Sequence, residues 1–138
     1  MADGYGLDSW CGSSLQSGRT VTGRLLLAQA AFRRITTPRG TLRGGTEELT
    51  YGIDVREYCG ALAVDEALAA LPSIVRAELR KDDRFAAVSV EATRAAVSGT
   101  PNDEALTLAI TIQPADETAS FTLTLAVSDA SATILGVK

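Results

Sequence analysis

Two hydrophobic periods divide the chain. Between Thr22 and Ile35 the stretch TGRLLLAQAAFRRI places Leu25, Ala28, Phe32 and Ile35 at i, i+3, i+7 and i+10, the spacing of one helical face. Pro38 and Gly40 predict its end. A second helical pattern covers roughly Val64 to Lys81, with Leu68, Leu71, Val75 and Leu79 at helical spacing and Asp65 as an early acid. Pro72 interrupts it, which predicts either a kink or two short helices with Pro72 in the first turn of the second.

After Arg84 the period shortens to two. Val88 and Val90 alternate with Ser89 and Glu91; Leu106, Leu108, Ile110 and Ile112 alternate with Thr107, Ala109, Thr111 and Gln113; Phe121, Leu123, Leu125 and Val127 alternate with Thr122, Thr124 and Ala126. Each run predicts a half-buried strand. GTPND at Gly99–Asp103 and PADE at Pro114–Glu117 are connections short enough for antiparallel neighbours. The two helices are the other elements able to cover the apolar strand faces, so the expected class is α+β: two main helices on a small antiparallel sheet of three to four strands. The tail ATILGVK, Ala132–Lys138, has two readings: an ordinary fourth strand, or a segment that pairs with another chain.

Residues 1–21 are rich in Gly, Ser and Asp, with Tyr5, Leu7, Trp10 and Leu15 as isolated apolar anchors. They predict an extended N-terminal arm, leaving residues 22–138 as a single domain. A length of 138 residues with 46% hydrophobic content is enough for one buried core. Nothing in it has the apolar length to span a bilayer, and MADGYGLDSWCG lacks a signal peptide's basic-then-apolar layout, so cytoplasmic synthesis is expected. Cys11 and Cys59 are then expected as free thiols.

Composition excludes several chemistries. With no histidine and two cysteines, the chain lacks Ser-His-Asp and Cys-His nucleophile systems, a histidine pH switch and an ordinary zinc ligand set, and no metal or cofactor is expected. No phosphate-binding GxxxxGK[ST] or G-x-G-x-x-G pattern is present in a strand-to-helix context. Glu47, Glu48, Asp54 and Glu57 offer carboxylates for glycoside cleavage, yet they lie among Thr, Gly and Arg rather than in an apolar pocket that would raise one pKa. Salt bridges are the expected use.

Charge is unevenly distributed. The net charge of −4 argues against nucleic acid as a general partner, but Met1–Gly45 carries six arginines against two aspartates, while the remainder carries seven bases against fifteen acids. Arginine also outnumbers lysine, which suits bidentate protein contacts. Within that basic N-terminal third, ITTPRGTLRGG at Ile35–Gly45 is a glycine-punctuated loop whose exposed backbone suits a neighbouring subunit. Arg39, Gly40 and Arg43 are its candidate contacts, and Trp10 in the arm is a candidate aromatic anchor.

The segment order resembles the bacteriophage baseplate wedge family that initiates the contractile tail sheath, some members of which carry the label tail lysozyme. That family pattern has a helix ending in Thr, a Pro-Gly loop, a Phe- or Tyr-Gly pair before Leu or Val, and a Glu-Pro-Arg-(Ile or Val) motif ahead of the sheet. Thr36, Thr37, Pro38, Gly40, Tyr51, Gly52 and Val55 fit its first parts. Asp82, Asp83, Arg84 and Phe85 occupy the last, keeping the arginine and replacing the proline.

The resemblance spans about Thr22 to Val127. It implies a structural, non-catalytic virion protein, assembled in the host cytoplasm into a six-fold collar of the tail baseplate. The implied partners are the tail sheath protein and other wedge proteins, with the tail tube as a further candidate; no nucleic acid or membrane is implied. Tyr51 and Arg84 join the candidate contacts, and Thr133, Ile134, Leu135 and Val137 become a candidate pairing strand, because sheath subunits in such tails exchange strands. The alternatives are a peptidoglycan-degrading tail lysozyme and a neck or tail connector in a non-contractile tail.

Overall fold

The computed structural model describes residues 6–10, 18, 20–41, 44, 49–58, 65–96, 104–116, 119–127 and 132–138. In chain order these form β1 (Asp8–Ser9), β2 (Thr20–Val21), α1 (Gly23–Thr36), a 3-10 turn (Val55–Tyr58), α2 (Asp65–Leu79), β3 (Phe85–Ala96), β4 (Glu104–Pro114), β5 (Phe121–Val127) and β6 (Ala132–Val137). The class is α+β. The described residues form two antiparallel sheets, a two-stranded β1-β2 ribbon and a four-stranded sheet in the order β3-β4-β5-β6.

Period-two alternation becomes two chemically different sheet faces. On the inner face Val90, Ile110, Leu123 and Val137 align across the four strands, as do Ala92, Leu108, Leu125 and Ile134. The central members of both rows are fully buried. On the outer face Thr93, Thr107, Ala126 and Thr133 align, and Thr111 and Thr122 hydrogen-bond through their hydroxyls at 3.1 Å. α2 packs chiefly against β3, while α1 touches α2 and reaches β6. The core therefore lies between the helix pair and the inner sheet face.

α1 buries Leu26, Leu27, Ala28, Ala31, Phe32 and Ile35. Leu25, expected on the core stripe, is instead 38% exposed. The stripe is centred on Leu27, Ala31 and Ile35, and at 3.6 residues per turn Leu25 sits about a third of a turn from its middle, in the first turn. α2 runs as one helix through Pro72, which dispenses with one backbone donor, and buries Leu71, Val75 and Leu79. The reading as two short helices is thereby replaced by one continuous helix. The side chain of Leu68 lies outside the described residues, as do Cys11 and Cys59.

The N-terminal arm folds back onto α1. Asp8 and Ser9 pair with Val21 and Thr20, and the buried Gln29 donates to Asp8 Oδ2 at 3.2 Å and to the Ser9 carbonyl at 2.9 Å. Arg33 adds a 3.1 Å ion pair with Asp8. Trp10 is partly buried against the core beside this junction.

The tail forms β6, which pairs with β5 from Val127↔Ala132 to Leu123↔Val137 and ends with reciprocal Thr122–Lys138 backbone bonds of 2.9 and 3.0 Å. This is the fourth-strand reading. Among the described residues, the other side of β6 has no strand against it.

Candidate partner-binding site

The Pro38–Thr41 turn and the Tyr51–Asp54 segment meet at a carboxylate carried by α2. Glu78 lies on the buried stripe of α2, and its side chain is 1% exposed. Such a group is tolerable inside only when charge and lone pairs are matched. Its Oε1 accepts the Gly52 N–H at 2.6 Å and faces Arg34 Nη1 at 3.4 Å; its Oε2 accepts from Lys81 at 2.7 Å and Arg39 at 3.0 Å. Three cations thus converge on one carboxylate.

The same cations hold the Tyr51–Asp54 segment from outside. Arg39 Nε donates to the Gly52 carbonyl at 3.1 Å, Lys81 donates to the Thr50 carbonyl at 3.0 Å, and the Arg34 guanidinium stacks over the Tyr51 ring at 4.4 Å. Ile53 N–H donates to the Arg34 carbonyl at 3.0 Å, and Asp54 bridges Thr36. The segment is sewn to the end of α1.

Local sequence prepares that end. Thr36 and Thr37 return their hydroxyls to the Phe32 and Arg33 carbonyls at 2.7 and 2.5 Å, back-bonding that adds to the ladder of the last helical turn. Pro38–Thr41 then forms a turn closed by the Thr41 N–H and hydroxyl on the Pro38 carbonyl, with Gly40 at φ +84° in the third position. The turn brings Arg39 back over Gly52.

Electrostatics follow from this geometry. Burial pushes the Glu78 carboxyl up, but the Lys81 ammonium, the Gly52 N–H and Arg34 outweigh it and hold the group below the ordinary carboxylate range. Asp82 is likewise lowered, its burial offset by Arg84, whose backbone N–H and guanidinium bond it at 2.7 to 3.2 Å. Burial raises the Tyr51 hydroxyl, against the pull of Arg34 and Arg33. These carboxylates stay ionised at neutral pH.

The structure thus brings Arg39, Gly40 and Tyr51 together at the end of α1, with Arg84 beginning the chain's entry into β3. Arg84 is tied to Asp82, so the acid and arginine of the Asp-Asp-Arg stretch pair with each other while Asp83 is exposed. Trp10 is on the arm, partly buried against the core. Arg43 lies outside the described residues, as do Glu47 and Glu48; Asp54 is held by Arg56 in a bidentate pair at 2.8 and 2.9 Å, and Glu57 is exposed.

Thr133, Ile134, Leu135 and Val137 form a second surface along β6. The register slips between Thr124 and Leu125, where Gly136 and Ile134 are successive partners, so Leu135 is the extra residue of a β-bulge. It is 61% exposed, whereas Ile134 and Val137 pack against the core.

Sequence reasoning missed Glu78, Arg34 and Lys81 as members of the site. The available signal was Glu78 itself, a charge at i+7 from Leu71 and i+3 from Val75 on an otherwise apolar stripe. Among the described residues, no helix is long and apolar enough to cross a membrane, and no group of three or more metal-ligating side chains is assembled. Comparison of the chain with protein-family models, with curated proteins and with solved structures finds no match in any of the three.

Proposed function

We propose that this protein is a structural assembly subunit: a wedge component of a phage tail baseplate that initiates the sheath around the tail tube. The observation that carries the reading is the outer side of β6, which has no strand against it among the described residues and bears the exposed Leu135 at its bulge. An edge with one satisfied side and one open side accepts a further strand through backbone hydrogen bonds. Because β6 already pairs with β5, the partner strand adds to the sheet rather than replacing part of it.

The ion cluster around Glu78 supports a scaffold role as well. Its buried carboxylate is held ionised by cations, the opposite of the raised pKa that a glycosidase's general acid needs. In this reading, Glu78 braces the loop that meets neighbouring wedge subunits. The resemblance in the TPRG and YGID stretches supplies the identity of the assembly; the open edge supplies a mode of contact.

Cryo-electron microscopy of the intact tail tests this. A ring of this chain at the base of the sheath, with a sheath strand beside β6, is the expected result. Its location elsewhere, or a tail without sheath, overturns the proposal.

A further inference from the structure

Among the described residues three cations surround Glu78, and its one carboxylate balances one of them. Arg34 is nearly covered, its guanidinium lying on Tyr51. Arg39 and Lys81 are different: their side chains are 53% and 42% exposed while both grip the same Glu78 oxygen.

Arg39 uses Nε on the Gly52 carbonyl and one Nη2 hydrogen on Glu78, which leaves three of a guanidinium's five N–H donors. Lys81 uses two of its three donors, on Glu78 and Thr50. Their positions are therefore set from inside while spare donors remain on exposed groups. Preorganised donors lose little freedom when a ligand binds.

We propose that Arg39 and Lys81 form a docking point for a carboxylate on an acidic segment of a partner protein. The excess of positive charge at the Glu78 cluster sets the sign of the ligand. The surroundings set its class: Asp82 is neutralised by Arg84, and the neighbouring Asp83 is exposed, so a short acidic side-chain contact fits where a continuous phosphate backbone would meet repulsion. The chain's net charge of −4 points the same way.

The inference rests on the assembly reading only in taking the acidic segment from another chain. NMR titration of the full-length protein tests it directly, observing the Arg39 and Lys81 side-chain N–H signals. The probes are a short peptide of Glu spaced by Gly and Ser, its Gln counterpart, and a single-stranded oligonucleotide of matched charge. Saturable shifts at both side chains with the Glu peptide alone are expected, and Arg39→Gln and Lys81→Gln each weaken binding about fivefold, the scale of an exposed ion pair. Arg24→Gln, on the exposed start of α1, leaves it unchanged.

No saturable shift, an equal response at Arg24, or tighter binding of the oligonucleotide overturns the proposal. The unsubstituted protein decides the matter if either variant fails to fold. A negative titration removes this docking point and leaves the β6 edge standing, whereas a tail map without the predicted ring leaves the docking point standing.

Discussion

The Gly52 N–H donates to Oε1 of Glu78 across 2.6 Å, joining a loop glycine to a carboxylate 26 residues further along the chain. This bond is buried, and three cations complete the carboxylate's surroundings. Removing the carboxylate strands the Gly52 donor and leaves Arg34 without its counterion. With Arg39 and Lys81 half in water, Glu78→Ala should cost about 2 to 4 kcal/mol, measured by urea unfolding. A loss under 0.5 kcal/mol, on the scale of neutral surface changes, would show that the cluster contributes nothing net.

Acid should act through the same group. Glu78 and Asp82 both have folded pKa values below their unfolded ones, so their stabilisation is fully present above the ordinary carboxylate range. It is lost as pH falls through that range toward the lower folded values. Urea midpoints measured from neutral to acid pH should therefore drop on the acid side, and the drop should shrink in Glu78→Gln. An unchanged acid profile in that variant would assign the effect elsewhere.

Gly52 is the position where backbone shape allows no side chain. Its φ is +92°, and a Cβ there would come within 2.3 Å of the Thr37 carbonyl oxygen. Because the obstacle is backbone, Gly52→Ala must displace the loop from α1 or strain it, and at least about 2 kcal/mol of destabilisation is expected. Gly40→Ala is the comparison: it shares a positive φ but meets nothing within 4 Å, so its cost should be smaller.

At the sheet centre, Leu108 is fully buried between Ala92 and Leu125 on neighbouring strands. Leu108→Ala leaves a cavity the flanking strands cannot close, and about 3 kcal/mol should be lost in thermal or urea melts. A cost below 1 kcal/mol would indicate that the inner face is loosely packed.

Leu135→Lys separates folding from assembly. Its side chain is 61% exposed at the bulge, so the melting temperature should hold within a few degrees, while a charge on the open edge blocks a further strand. Sheath recruitment in a reconstituted tail assembly should fall. Normal recruitment by this variant would remove β6 as the contact, whereas deleting the whole strand would mix the two effects because Ile134 and Val137 pack on the core.

The alternation in Leu106–Ile112 and Phe121–Val127 was sufficient to place both strands and name their inner faces, since period two has one geometric solution on a sheet. The helices were legible with smaller accuracy: Leu25 fitted an apolar spacing but lies at the margin of the buried stripe, and Pro72 was absorbed into α2. Local propensity does not report which part of an apolar helix surface meets the sheet. Of the candidate contacts, Arg39 was identifiable as a loop residue and Tyr51 through the resemblance, yet their inner partners were not.

Periodicity and composition by themselves determined the α+β class, the three alternating apolar runs and the absence of histidine from the chain, because these depend on residue type and local spacing. Tertiary structure alone decided that Glu78 gathers Arg34, Arg39, Lys81 and Gly52, and that the tail lies beside β5 with no strand on its other side among the described residues. Those contacts join residues far apart in the chain, and their energies depend on burial and distance. Neither quantity exists until the helices have closed over the sheet.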